Sequence, residues 1–197
     1  MATTTPNYGW TVPTSTDLVK DGATAIETLG DAIDASMNTA LGTKKAGMVL
    51  LNTTSFSGVS SQSINDVFSA TYENYRVIFT INGPDTNDLF FRIRVGGADL
   101  TSSTYQQTQG STSSSTSITI SNTEARGACG YFEIFRPFAT DYTHLLARAS
   151  SLRSTGQWSQ WTYAGAVNNT TSYTGFTLFP GSSTFTTGTI RVYGYNN

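Results

Sequence analysis

A chain of 197 residues has room for one good-sized domain plus an appendage. Only 12% of the residues are charged, against roughly 25% in an average soluble protein, and the formal net charge is −2. That balance gives no electrostatic ground for nucleic acid or an anionic membrane as partner, and no apolar run approaches the roughly 18 residues of a membrane span, so no membrane insertion is expected.

Polarity comes instead from Ser, Thr, Asn and Gly, which together with 10 Tyr and 11 Phe suit short strands and their turns. The start, MATTTPNYGW, lacks a basic region followed by an apolar one, so it reads as no secretory signal. Cys129 is the single cysteine and is expected to be a small buried hydrophobe. Synthesis in a reducing cytoplasm, without disulfide staples, is the corresponding expectation.

In chain order, residues 1–13 form an arm carrying Pro6, Tyr8, Trp10 and Pro13. It is too short and too proline-bound to fold alone, and its aromatic pair is expected to dock onto something; the alternative is a disordered terminus. A helix is expected over residues 17–41. Thr14, Ser15 and Thr16 offer N-cap hydroxyls, Thr14 with Asp17 resembles a capping box, Gly42 can supply a left-handed stop, and Lys44 and Lys45 sit near the negative dipole end. Val19, Ile26, Ile33 and Ala40 recur at intervals of seven, with Gly22, Leu29 and Ser36 at the intermediate positions. This is a coiled-coil heptad, weakened by Gly22, Gly30 and Ser36, that suits a short bundle held by other contacts as well. An amphipathic helix lying on its own β domain is the alternative.

From about residue 46 the hydrophobic period changes to that of strands. YRVIFTING and LFFRIRVGG flank the turn residues Pro84 to Asp88. SITIS, GYFEIFR, THLLARASSL, WSQWTYAGAV, YTGFTLFP and GTIRVYGY follow, and with weaker segments near 61–67 and 103–109 the total is nine or ten strands. The Ser/Thr-rich stretch 101–123 is expected to be a long hairpin or surface loop within one domain. The expected fold is mainly β: an N-terminal arm and single long α-helix over residues 1–45, followed by an antiparallel, jelly-roll-like β-sandwich over residues 46–197.

Chemistry-bearing constellations are sparse. His144 is the only histidine, no nucleophile-elbow pattern accompanies it, and one His with one Cys cannot assemble a metal site. RVGGADL lacks the lysine and following helix of a phosphate loop. Asp85, Asp88, Asp99, Glu124, Glu133 and Asp141 could in principle supply a glycosidase pair, although Asp85 and Asp88 lie in a turn. No catalytic, metal or cofactor residue is assigned, no cofactor is expected, and the chain is not expected to be an enzyme. Asn52 and Asn169 open glycosylation-like triplets that read as turn composition. Trp158 and Trp161 must face opposite sides of a strand. One is expected in the core; Trp161, with Tyr163 on its side, is the candidate exposed platform for stacking on sugar or anchoring a partner.

TTPNYGWTVPTSTDLVKDGATAIETLGDAID resembles the N-terminal segment of many tailed-bacteriophage virion proteins of the tail fibre or minor tail type. GMVLLNTTSFSGVSSQSINDVFSATYENYRVIFT and GTIRVYGYNN are similar to the β domains of such proteins; together the segments cover about half the chain. The resemblance implies a structural protein of the virion, assembled in the bacterial cytoplasm, with other tail or capsid proteins as partners. It further implies a homotrimer, a particle anchor at Pro6, Asn7, Tyr8, Gly9, Trp10 and Pro13, and an oligomerisation helix through Val19, Ile26, Leu29, Ile33 and Ala40. The chain departs from the pattern in having almost no shaft. Three functions compete: a short attachment fibre or spike that recognises host cell-surface glycan through Trp161 and Tyr163, a decoration or structural protein of the tail or capsid, and a polysaccharide depolymerase.

Overall fold

The computed structural model describes residues 3–16, 18–41, 47–107 and 115–196. The chain divides into two compact units, Met1–Ala46 and Gly47–Asn197.

In the first unit, β1 (Thr3–Thr4) and β2 (Thr11–Val12) pair antiparallel, Thr3 opposite Val12. The loop closes because Thr5 N donates to Trp10 O at 2.9 Å and Gly9 N to Thr5 O at 3.0 Å, with Gly9 at φ +66°. Pro6 sits inside that loop, where its missing N–H costs nothing. The arm therefore folds as a hairpin, and not alone: its aromatic pair docks on the helix of its own unit. Trp10 Nε1 donates to Ser36 Oγ at 2.9 Å, and Tyr8 stacks on Trp10 at 5.1 Å.

That helix, α1, runs Val19–Leu41. Its first turn opens with Asp21 N donating to Leu18 O, so the helix starts two residues past the expected Asp17; the Thr14 and Thr16 hydroxyls lie 3.0 Å from each other. Asp17, Gly42, Lys44 and Lys45, invoked as caps, lie outside the described residues.

The second unit contains β3 (Met48–Val59), β4 (Gln62–Ile64), β5 (Asn74–Asn82), β6 (Asn87–Val95), β7 (Ala98–Asp99), β8 (Tyr105–Gln107) and β9 (Ile118–Thr123). It continues with β10 (Ala128–Phe135), β11 (Thr143–Leu152), β12 (Trp158–Val167), β13 (Gly175–Pro180) and β14 (Phe185–Tyr195). All pairings are antiparallel. One sheet has the order β3-β14-β5-β10-β11-β12-β8; the other runs β4-β13-β6-β7, with β9 also on β6. β4 and β8 fall within the weaker segments expected near 61–67 and 103–109; β7, which was not among the expected strands, is two residues long, too short to display a period.

Both sheets contribute to one apolar core. Phe132 of the larger sheet meets Phe91 at 5.4 Å and Phe176 at 5.5 Å, both from the smaller. All three are fully buried, each ring worth about 2–3 kcal/mol relative to exposure. Within 101–123, Tyr105 buries its ring and donates its hydroxyl to Leu100 O at 2.7 Å, while its backbone bridges to Ser115. Gly130 has a packing reason: a Cβ there would run into the Arg148 carbonyl and Ala149 of the neighbouring strand.

Candidate functional site

Register fixes the two ends of the β unit. Asn196 N donates to Gly47 O at 3.0 Å, and Tyr195 pairs with Met48, so the first and last described residues of this unit share one end. At the opposite end lie the connections 83–86, 124–127, 153–157 and 181–184.

A carboxylate pair organises those connections. Asp85 accepts from Ala125 N at 2.8 Å, from Ser154 N at 3.2 Å and from the Ser154 hydroxyl, joining three connections. The Ser154 hydroxyl first and the Ala125 amide next hold its carboxyl down to about 2. Glu124 is fully buried; it accepts from Thr86 N at 2.9 Å and from Arg153 Nε at 3.4 Å. Thr86 stands at φ 59°, a strained value for a β-branched residue that Glu124 helps enforce. Arg153 continues into the hairpin between β11 and β12: its N–H donates to Gln157 O at 2.9 Å, and Gly156 N returns to Arg153 O at 3.0 Å. This tight hairpin fixes the strand phase, placing Leu152 opposite Trp158 on the outward face.

Trp158 is the result. Its side chain is 64% exposed and stands at the rim of a groove of about 230 Å³. Thr80, Asn82, Arg126, Cys129 and Ser150 line the groove with it. Cys129 is exposed there, contrary to the expectation of a buried hydrophobe, because β10 turns it outward between Thr80 and Ser150. The combination is an aromatic face beside hydroxyl, amide and guanidinium groups.

The two tryptophans do face opposite sides, but the expected platform is on the wrong one. Tyr163 is 7% exposed, and burial followed by the Asp88 charge pushes its hydroxyl pKa up. Trp161 is half-buried, donates Nε1 to Ser151 Oγ at 3.1 Å and stacks on Tyr163 at 6.2 Å. Both point inward because they pair with Ala149 and Ala147, small residues that leave room beneath the sheet. The opposition of large and small residues was the sequence signal that would have assigned Trp161 to the interior and Trp158 to the surface.

The other candidates fall as follows. In the arm, Pro6 and Asn7 are exposed, Tyr8 is 69% exposed, and Trp10 and Pro13 are half-buried. Along α1, Leu29 and Ile33 are half-buried, whereas Val19, Ile26 and Ala40 are exposed, Val19 at 96% and Ile26 at 65%. Ser36, an intermediate seam position, meets Trp10. The remaining carboxylates have partners: Asp99 pairs with Arg94, Glu133 with Arg76 at 2.6 Å, and Asp141 with Arg136 at 2.7 Å. Asp88 lies 3.2 Å from the Asn122 amide. His144 is exposed on β11. Among the described residues no group of three or more His, Cys, Asp or Glu side chains is placed to hold a metal ion, and no helix is long and apolar enough to cross a membrane. Comparison with known protein families, curated proteins and solved structures finds no match to this chain.

Proposed function

We propose that the chain is a structural component of a bacteriophage particle, a short trimeric fibre or spike whose β unit attaches the particle to glycan on the host surface. The resemblance of its first residues to tail fibre and minor tail proteins supports the particle assignment. The finer fold reading is a jelly roll. Taking β3, β4, β5, β6, β9, β10, β13 and β14 as its eight strands, one sheet contains first-eighth-third-sixth and the other second-seventh-fourth-fifth, the order of a double Greek key. The hairpin of β11 and β12 is then an insertion that widens one sheet past its sixth strand.

The observation that carries the attachment reading is Trp158, exposed on that inserted hairpin beside a polar groove, at the end of the β unit away from Gly47. An indole face covers the C–H side of a sugar ring while neighbouring hydroxyl and amide groups take its hydroxyls. One such site is weak, and three copies on a particle combine through effective concentration.

The test is binding of purified full-length chain to a panel of bacterial cells, with Trp158→Ala beside it. Binding to susceptible cells is expected, weakened about tenfold by the substitution, as for loss of one aromatic anchor. Equal binding by both proteins, or binding to no cell, contradicts the reading. The second reading, a decoration or structural protein, draws on the arm: Tyr8 and Trp10 stack on each other and Trp10 bonds to Ser36, so the aromatic pair is engaged within its own unit. Presence in the particle with no cell binding would favour it.

A further inference from the structure

We infer that the outer face of the seven-stranded sheet binds an acidic, uronate-type polysaccharide, laid from Trp158 past Arg148 towards Arg191; this rests on the attachment reading and names its ligand class. Charge distribution is the first ground. On the outward positions of this sheet the charged side chains are Arg76, Arg148, Arg191 and Glu133, with Arg126 at the rim. Glu133 is the one carboxylate among them, and it is occupied: Arg76 lies 2.6 Å away and the Tyr195 hydroxyl donates to it at 2.5 Å. Arg126, Arg148 and Arg191 have no ion-pair partner among the described residues. Two cations on the face and a third at its rim are thus without an ion pair among the described residues, on a chain whose net charge is −2.

The arrangement of these groups is the second ground. Strand register sets them in bands across the sheet. One band reads Arg191, Ile78, Tyr131, Arg148, Thr162. The next reads Thr189, Thr80, Cys129, Ser150, Gln160, hydroxyl and amide groups with a single thiol. Leu152 and Trp158 follow. A polymer crossing the strands along the second band meets a new polar side chain at each step of about 4.8 Å, close to the length of one sugar ring, and along the first band it does so at every step but Ile78. Arg191 and Arg148 are three strands apart, about 14 Å or about three sugar rings, which suits spaced carboxylates better than an anion on every ring. Guanidinium groups pair with planar carboxylates through two parallel N–H bonds. A nucleic acid presents a phosphate about every 3.4 Å along each strand and would need a denser row of cations than this face holds.

The experiment is electrophoresis of the full chain through gels containing hyaluronan, dextran or neither, with duplex DNA as a competitor. The wild-type chain is expected to be retarded by hyaluronan and not by dextran, and raising salt from about 50 to about 300 mM should remove most of the retardation. Arg148→Gln with Arg191→Gln should weaken it about tenfold, and the paired Lys substitutions, which keep the charge but lose the two parallel N–H bonds, should restore it only in part. Trp158→Ala should weaken it as well. Equal retardation by dextran overturns the acidic class and leaves glycan attachment standing. No retardation by either polymer overturns the inference, while Trp158-dependent cell binding reports separately on attachment. Competition by DNA at lower concentration than hyaluronan assigns the face to nucleic acid and overturns the inference too.

Discussion

Asp85 and the two tryptophans of β12 show how single residues divide between holding the fold and presenting a surface. The Asp85 carboxyl titrates at about 2 in the folded chain against an ordinary 3.8, because the Ser154 hydroxyl and Ala125 amide hold its anion. A depressed value stabilises the fold above the ordinary value, and the contribution is lost as pH falls through about 2. Thermal melts of Asp85→Asn and wild type should therefore differ at neutral pH and converge in strong acid; a difference that persists unchanged would contradict the assignment. The tryptophans should part company in the same way. Trp161→Ala is expected to cost about 3 kcal/mol by opening a cavity over Ala149, whereas Trp158→Ala should cost less than about 0.5 kcal/mol. Denaturant titration of both variants reads this directly. The sequence carried the opposition of the two rings, because a period of two requires it. Which ring went inward depended on Ala147 and Ala149 across the hairpin, a partnership set by the turn at 153–157 and not by either segment alone.

Among the elements, α1 was legible as a helix because Val19, Ile26 and Ile33 keep a heptad over its length. Its partner was harder to read. Ser36 looked like a hole in an oligomer seam, yet its hydroxyl receives the Trp10 indole and makes that side of the helix the seat of the arm. The polar residue in the seam was the available signal. Ser36→Ala should remove about 1 kcal/mol from arm docking. Amide exchange at Thr5 and Gly9, whose N–H groups close the hairpin, should speed up several-fold while the β unit is unaffected. Unchanged exchange at both amides would mean that the arm stands without the helix. Nearer the start of the same seam, Val19 and Ile26 remain exposed. If they join copies of the chain, Val19→Asp with Ile26→Asp should turn a trimer into a monomer by light scattering without altering the melt of the β unit. A variant that stays trimeric would move the oligomer contact away from α1.

At the scale of the whole molecule, most strands of the β unit could be found by alternation, but their neighbours could not. β3 lies beside β14, and Ser55 meets Thr189 across 134 residues of sequence. Local patterns do not encode such long-range pairing, which emerges only when both sheets close over Phe91, Phe132 and Phe176. The same closure gathers Trp158, Arg126, Asn82 and Ser150 from separate segments into one groove. Each of them looks ordinary in its own stretch of sequence, so the groove was invisible before the topology was known. Its use in attachment is tested most directly by the three indole N–H resonances of the full chain, from Trp10, Trp158 and Trp161, during titration with hyaluronan oligosaccharides. The Trp10 and Trp161 protons are already engaged by Ser36 and Ser151. The expected result is a saturable shift of the Trp158 resonance with the other two still. Saturable binding that leaves Trp158 unmoved, or no binding at all, would contradict a glycan site at this groove.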